Sequence, residues 1–130
     1  MDVAQLLNKA RQQAEAGNNE ASRQSLLEIL KQQPDNQTAL IMLGGSYFVS
    51  DMLNEAEMVF ERLVLLSPGV GRASIALFNT LWKLERKEEA LEEIRRFMQQ
   101  ANVDTEQETI EQYRLITRAI AVSYTHLTLP

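Results

Sequence analysis

Cysteine is absent from this sequence of 130 residues, and histidine occurs once, at His126. Without cysteine the chain has no disulfide, no thiolate metal site and no cysteine nucleophile. One histidine is too few for a histidine-based metal site or a histidine acid–base pair within the chain. Proline and glycine are scarce, at three and five residues, and aromatic residues make up 6%. This shortage of turn residues favours helices over a sandwich of short strands.

The length, charge and hydropathy are typical of one soluble globular domain. Hydrophobic residues make up 45%, charged residues 24%, and the formal net charge is −5. The excess of acidic residues argues mildly against binding to nucleic acid or to an anionic membrane. The longest apolar stretch, residues 39–49, is well short of the ~20 residues that a spanning helix needs. The first residues show no secretory signal, so we expect a cytoplasmic protein.

A step of 34 residues recurs along the chain and relates, for example, Pro34 to Pro68. The same step aligns two columns of large apolar residues and one column of small residues. They are Leu26, Phe60 and Ile94; Ile29, Leu63 and Phe97; and Ser22, Ala56 and Ala90. Small residues let two helices approach closely, and the apolar columns fill the space between successive pairs. The coinciding columns therefore predict three stacked helical hairpins.

Each unit contains two amphipathic stretches with i, i+3, i+4 spacing. They predict helices over residues 2–16, 19–32, 36–49, 53–66, 71–84 and 87–101. A seventh helix over 105–121, with Asp104 or Thr105 as its N-cap, would cover the end of the third unit. The predicted domain is thus 1–121, with units over about 3–34, 37–68 and 71–102 and the cap helix over about 105–121.

The last residues, 122–130, depart from the helical period, because they are β-branched, rich in threonine and uncharged. They predict an irregular tail. This tail resembles translated adaptor or vector DNA, in which case it is not native and His126 has no role. A natural strand and a disordered terminus are the alternatives.

Seven positions of the middle unit resemble the signature of the tetratricopeptide repeat (TPR), a helix–turn–helix unit of ~34 residues. They are Leu40, Leu43, Gly44, Tyr47, Ala56, Phe60 and Pro68. The third unit departs from the pattern, with Phe78 in the small-residue column and Asn102 in the proline column. The resemblance covers about residues 3–102 and implies an all-α superhelix, a solenoid of three repeats and a cap. It is specific for the fold and not for one function.

In this family the first helix of each unit lines a concave groove that holds extended or helical peptides. The resemblance places four large apolar side chains and four polar or small residues on that groove. They are Ile41, Phe48, Ile75 and Trp82, with Arg11, Gly45, Arg72 and Asn79. An apolar patch of this kind has reason to be covered, either by a partner or by packing within the chain. Either arginine would suit a carboxylate of a bound peptide or remain solvated.

Some members of the family grip a terminal carboxylate with lysine, asparagine and arginine on their first helices. At the corresponding positions this chain has Leu7, Met42 and Ala76, and only Arg72 fits, so we expect no such clamp. No nucleotide-binding or nucleophile motif occurs, and we expect no enzyme activity, no cofactor and no metal site. The acidic run over residues 88–93 predicts surface ion pairs at i, i+3 and i, i+4.

The sequence therefore predicts a non-enzymatic adaptor that binds an apolar or amphipathic segment of a protein or peptide. An N-terminal docking or oligomerisation domain of a longer, truncated protein is an alternative, which a homo-oligomer would favour. A secretion-type chaperone is another.

Overall fold

The computed structural model describes the backbone of residues 1–128 and the side chains of residues 1–123. Within this part the chain forms seven α-helices and no strand, as predicted. They are α1 (Val3–Glu15), α2 (Asn19–Gln32), α3 (Gln37–Val49), α4 (Leu53–Leu66), α5 (Gly71–Lys83), α6 (Lys87–Gln100) and α7 (Gln107–Thr128). None of the helices described is long and apolar enough to cross a membrane.

The first six helices form three hairpins, α1–α2, α3–α4 and α5–α6. Successive hairpins pack through α2 against α3 and through α4 against α5, and α7 packs against α5. The predicted bounds of these six helices agree with the structure to within one residue. This packing in chain order, each unit against the next, is that of a helical solenoid.

The turn inside each hairpin has one backbone geometry, which recurs three times. Gly17, Asp51 and Glu85 follow one another at the repeat step, and their φ angles are +80°, +59° and +63°. The N–H of each donates to the carbonyl three residues earlier, and the next N–H donates to the carbonyl five residues earlier. This pair of bonds is the Schellman motif that ends a helix with one left-handed residue. Two of the three turns therefore place a residue with a side chain where glycine is favoured.

The hydrophobic core consists of two clusters. The N-terminal cluster lies between the first hairpin and α3, and its buried residues are Leu6, Ala10, Leu26, Ile29, Ala39 and Leu43. The larger cluster extends from α3 to α7 and includes Phe60, Leu77, Phe97 and Tyr113. The side chains of Leu30, Tyr47 and Val59 are half-buried and contact both clusters. The apolar columns found in the sequence are thus core positions.

Tyr113 attaches α7 to the third hairpin. Its ring lies edge-on to the rings of Phe78 and Phe97, with centroid distances of 5.6 and 5.4 Å. Its hydroxyl is 2.7 Å from Ser74 Oγ, and Ser74 Oγ donates to Glu93 Oε2 at 2.6 Å. Burial raises the pKa of the Tyr113 phenol well above its ordinary value. Phe78 stands at a repeat position where the other units have a small residue. Its larger side chain fits there because its ring packs against the ring of Tyr113.

The start of α7 differs from the prediction. The helix begins at Gln107, two residues after the predicted 105, and neither Asp104 nor Thr105 is its N-cap. Asn102 Oδ1 lies 2.8 Å from the amide nitrogen of Asp104 and 3.3 Å from that of Thr105, and accepts a hydrogen bond from each. These bonds hold both residues in a turn ahead of the helix.

The end of α7 also corrects the sequence analysis, because the irregular tail predicted from residue 122 is helical over residues 122–128. No glycine or proline occurs between Gly71 and Pro130, so no residue of this segment interrupts the helix. The side chain of His126 and residues 129–130 lie outside the described part, and the boundary at 121 stays a prediction.

Candidate binding surface

The eight residues predicted to bind a partner lie on α1, α3 and α5, the first helices of the three hairpins. We call these residues together the first-helix face. Ile41 and Ile75 occupy one repeat position, and Phe48 and Trp82 occupy another, two helical turns further along. All four are half-buried and pack against the larger core cluster, so that part of each side chain is in solvent. Since α3 contacts α5 directly, the four belong to two touching helices.

Lysine side chains cover the two aromatic residues of this face. Lys83 Nζ lies 5.1 Å from the ring centroid of Phe48, and Lys87 Nζ lies 5.3 Å from that of Trp82. The Trp82 ring also stacks on Phe78 at 5.7 Å with an interplanar angle of 19°. A cation–π contact at an exposed site is worth about 0.5–1 kcal/mol, so a ligand displaces such a lysine at little cost. Sequence analysis missed both lysines, although Lys83 directly follows the repeat equivalent of Phe48.

The polar members of the first-helix face are Arg11, Arg72 and Asn79. Arg11, Arg72 and Asn79 are exposed, and their side chains have no hydrogen-bond or ion-pair partner among the described residues. Arg72 and Asn79 lie on α5, the helix that also carries Ile75 and Trp82, whereas Arg11 lies on α1.

The remaining member is Gly45 in α3. No atom lies within 4 Å of the position that a Cβ would take there. The residue therefore leaves open space on the face.

The acidic run of α6 forms ion pairs, as the sequence predicts for Glu89 and Glu92. Glu89 pairs with Arg86, which lowers the pKa of that carboxyl, and Glu92 pairs with Arg95 at 2.8 Å. Glu93 differs, because it is buried. Among the described residues, no group of three or more histidine, aspartate or glutamate side chains is placed to hold a metal ion.

No protein-family model matches the sequence, and the search of curated proteins finds no match. Solved structures do match. "First TPR of Spaghetti (RPAP3) bound to HSP90 peptide SRMEEVD" superposes with a TM-score of 0.72 over 92% of this chain and 95% of that one, at 18% identity. MamA superposes with a TM-score of 0.73 over 91% of this chain and 63% of its own, at 17% identity. The chain folds as a tetratricopeptide-repeat solenoid.

A third similar structure is a mutant of the Thermobaculum terrenum O-GlcNAc transferase. Its TM-score is 0.65 at 25% identity, and the match covers 75% of this chain but only 19% of the transferase. This TPR solenoid is thus similar to proteins of very different length. The predicted fold is confirmed, and the function has to be argued from the residues of the first-helix face.

Proposed function

We propose that this TPR solenoid is a non-enzymatic interaction module that binds an apolar or amphipathic peptide segment on the first-helix face. One observation carries the proposal: Ile41, Phe48, Ile75 and Trp82 lie in repeat register on two touching helices, and each keeps part of its side chain in solvent. Exposed apolar groups clustered in this way are typical of binding surfaces. One structural neighbour, the first TPR of Spaghetti (RPAP3), is bound to a peptide, and this supports a peptide or protein partner.

Binding would bury the exposed parts of the four apolar side chains under apolar side chains of the ligand. Removal of apolar surface from water contributes about 25 cal/mol per Å² before the entropic cost of association, and a few anchors usually dominate the affinity. Lys83 and Lys87 would leave the aromatic rings and pair with carboxylates of the ligand. Arg72 and Asn79, whose side chains have no partner within the described chain, would fix its orientation.

This mode differs from a grip on a terminal carboxylate. Leu7 and Met42 pack against the N-terminal cluster and Ala76 packs against the larger one, so apolar groups occupy the positions of the clamp. We therefore expect an internal segment of a partner, and not a free carboxyl terminus, to be the ligand. The peptide SRMEEVD, bound by a structural neighbour, should bind this chain weakly.

Trp82 is the only tryptophan, so its fluorescence reports directly on this face. The test is a titration with a library of fluorescent amphipathic peptides, followed by the same titration of Phe48→Asp and Trp82→Ala. We expect each variant to lose at least ~10-fold in affinity, as removal of an interface anchor does. Met58→Asp on α4 is the control, because Met58 is 73% exposed and lies on a second helix.

Both tested side chains also contact the core, so circular dichroism must show that the variants remain folded. Unchanged binding by both folded variants would overturn the assignment of the ligand to this face. Equal losses in the Met58→Asp control would do the same.

A further inference from the structure

A second surface, separate from the first-helix face, lies between α6 and α7. Beyond the contact of Phe97 with Tyr113, these helices leave a cleft of about 650 Å³. Its lining residues are Ile94, Arg95, Met98 and Gln99 of α6 with Arg114, Thr117, Arg118 and Ala121 of α7. Ile94 and Met98 provide an apolar floor, and Met98 is 37% exposed. We call this the α6–α7 cleft.

The charge of the cleft is opposite to that of the molecule. Three arginines, Arg95, Arg114 and Arg118, line it from both helices, and the lining includes no carboxylate, although the chain carries a net charge of −5. Arg95 and Arg114 pair with Glu92 and Glu111, which lie outside the lining. These pairs are exposed and, at 2.8 and 3.9 Å, contribute at most about 1 kcal/mol, so either arginine is available to another carboxylate.

The arrangement of α7 indicates what shape would fill the cleft. In each hairpin the first helix is covered by a second helix, whereas α7 has no second helix among the described residues. Arg114 and Ala121 are two helical turns apart, so the cleft extends for about 10 Å along α7. A helix of two to three turns would match this length.

We propose that the α6–α7 cleft binds an acidic amphipathic helix of a partner protein. Apolar side chains at i, i+3 and i+7 of that helix contact Ile94 and Met98, and flanking carboxylates pair with Arg95, Arg114 and Arg118. The apolar floor supplies affinity, and the arginines supply preference for acidic over basic helices. This proposal does not depend on ligand binding at the first-helix face.

The test uses two fluorescein-labelled helical peptides of 14 residues or so. Both carry leucine at i, i+3 and i+7, one with glutamate and one with lysine at the flanking positions. Fluorescence anisotropy should show at least ~10-fold tighter binding of the acidic peptide, weakening as salt is raised. The double variant Arg114→Glu/Arg118→Glu should lose this affinity and prefer the lysine peptide. Both side chains are exposed, so the variant should fold normally.

Two control variants separate this site from the first-helix face. Arg72→Glu and Phe48→Asp weaken any binding of the peptide to the first-helix face, so the binding that both variants retain and the double variant loses is assigned to the α6–α7 cleft. If Arg72→Glu weakens binding and the double variant does not, the peptide binds the other face and the proposal is wrong. Equal affinity for both peptides would also overturn it.

Sedimentation of the unliganded protein tests whether a second copy occupies the cleft instead. A monomer supports the proposal. A dimer that the double variant dissociates would assign the cleft to another copy of this chain and overturn it.

Discussion

Gly44 and Gly45 are adjacent in α3, yet a methyl group would meet different surroundings at each. A Cβ at Gly44 would overlap the ring of Phe60, and a Cβ at Gly45 would meet no atom within 4 Å. We predict that Gly44→Ala lowers the free energy of unfolding by about 1–3 kcal/mol, because the packed ring must move. Gly45→Ala should raise it by up to about 1 kcal/mol, because alanine favours the helix. Urea denaturation measures both, and a loss of stability at both positions would contradict the open space at Gly45.

The left-handed residues of the turns allow a test with a matched control. Glu85 has a φ of +63° and no ion-pair partner among the described residues. Glu85→Gly should raise the free energy of unfolding by about 1 kcal/mol, since a Cβ in this conformation costs about that much. Gly17 occupies the equivalent position, and nothing lies within 4 Å of its Cβ position, so Gly17→Ala should lower stability through backbone conformation alone. Thermal unfolding of the two variants measures both effects. If their unfolding temperatures shift in the same direction, this explanation is wrong.

At the scale of the element, the attachment of α7 depends on a buried carboxylate of α6. Glu93 is 4% exposed, accepts from Ser74 Oγ at 2.6 Å and pairs with Arg96 at 2.5 Å. Glu93→Ala should lower the free energy of unfolding by about 2–3 kcal/mol, because Ser74 loses its acceptor and Arg96 its counter-charge. Glu92→Ala removes the neighbouring exposed carboxylate and should change stability by less than about 1 kcal/mol.

Urea denaturation measures these energies, and amide hydrogen exchange shows where the loss appears. In Glu93→Ala the amides of α7 should lose protection first. Equal effects of the two substitutions would mean that the bonds of Glu93 do not hold α7.

The repeat step explains why most elements could be predicted and others could not. Six helices were bounded to within one residue because each has an equivalent 34 residues away that packs in the same way. Helix α7 belongs to no complete hairpin among the described residues. Its start depends on Asn102, and no glycine or proline marks an end near the predicted residue 121. The contacts of Glu93 and Tyr113 with Ser74 join residues 19 and 39 apart, which no helical period reveals.

The candidate site was also predicted only in part. Helical phase predicted the four apolar residues of the first-helix face, because the position within a repeat determines which side of a helix a residue occupies. The lysines over Phe48 and Trp82 were missed, since both depend on how long side chains fold back in three dimensions. The basic lining of the α6–α7 cleft was missed because it combines two helices whose relation no repeat column encodes.

At the scale of the whole molecule, the two core clusters are joined by few side chains. Leu30, Tyr47 and Val59 contact both, and each is only half-buried. The first and third hairpins also differ in burial: the buried residues of α1 are Leu6 and Ala10, whereas α5 has seven. In a repeat protein, stability is a sum of unit and interface contributions, so unequal units open separately.

We therefore predict that the amides of α1 and α2 exchange through a local opening with a lower free energy than those of α5. Leu6→Ala should lower protection in α1 and α2 and leave α5 unchanged, because it removes apolar contact from the N-terminal cluster only. Leu77→Ala, its counterpart in the larger cluster, should lower protection from α4 to α7. Native-state hydrogen exchange at increasing urea concentration measures both. If Leu6→Ala reduces protection in α5 as much as in α1, the two clusters unfold as one unit, and contacts through Leu30, Tyr47 and Val59 are strong enough to couple them.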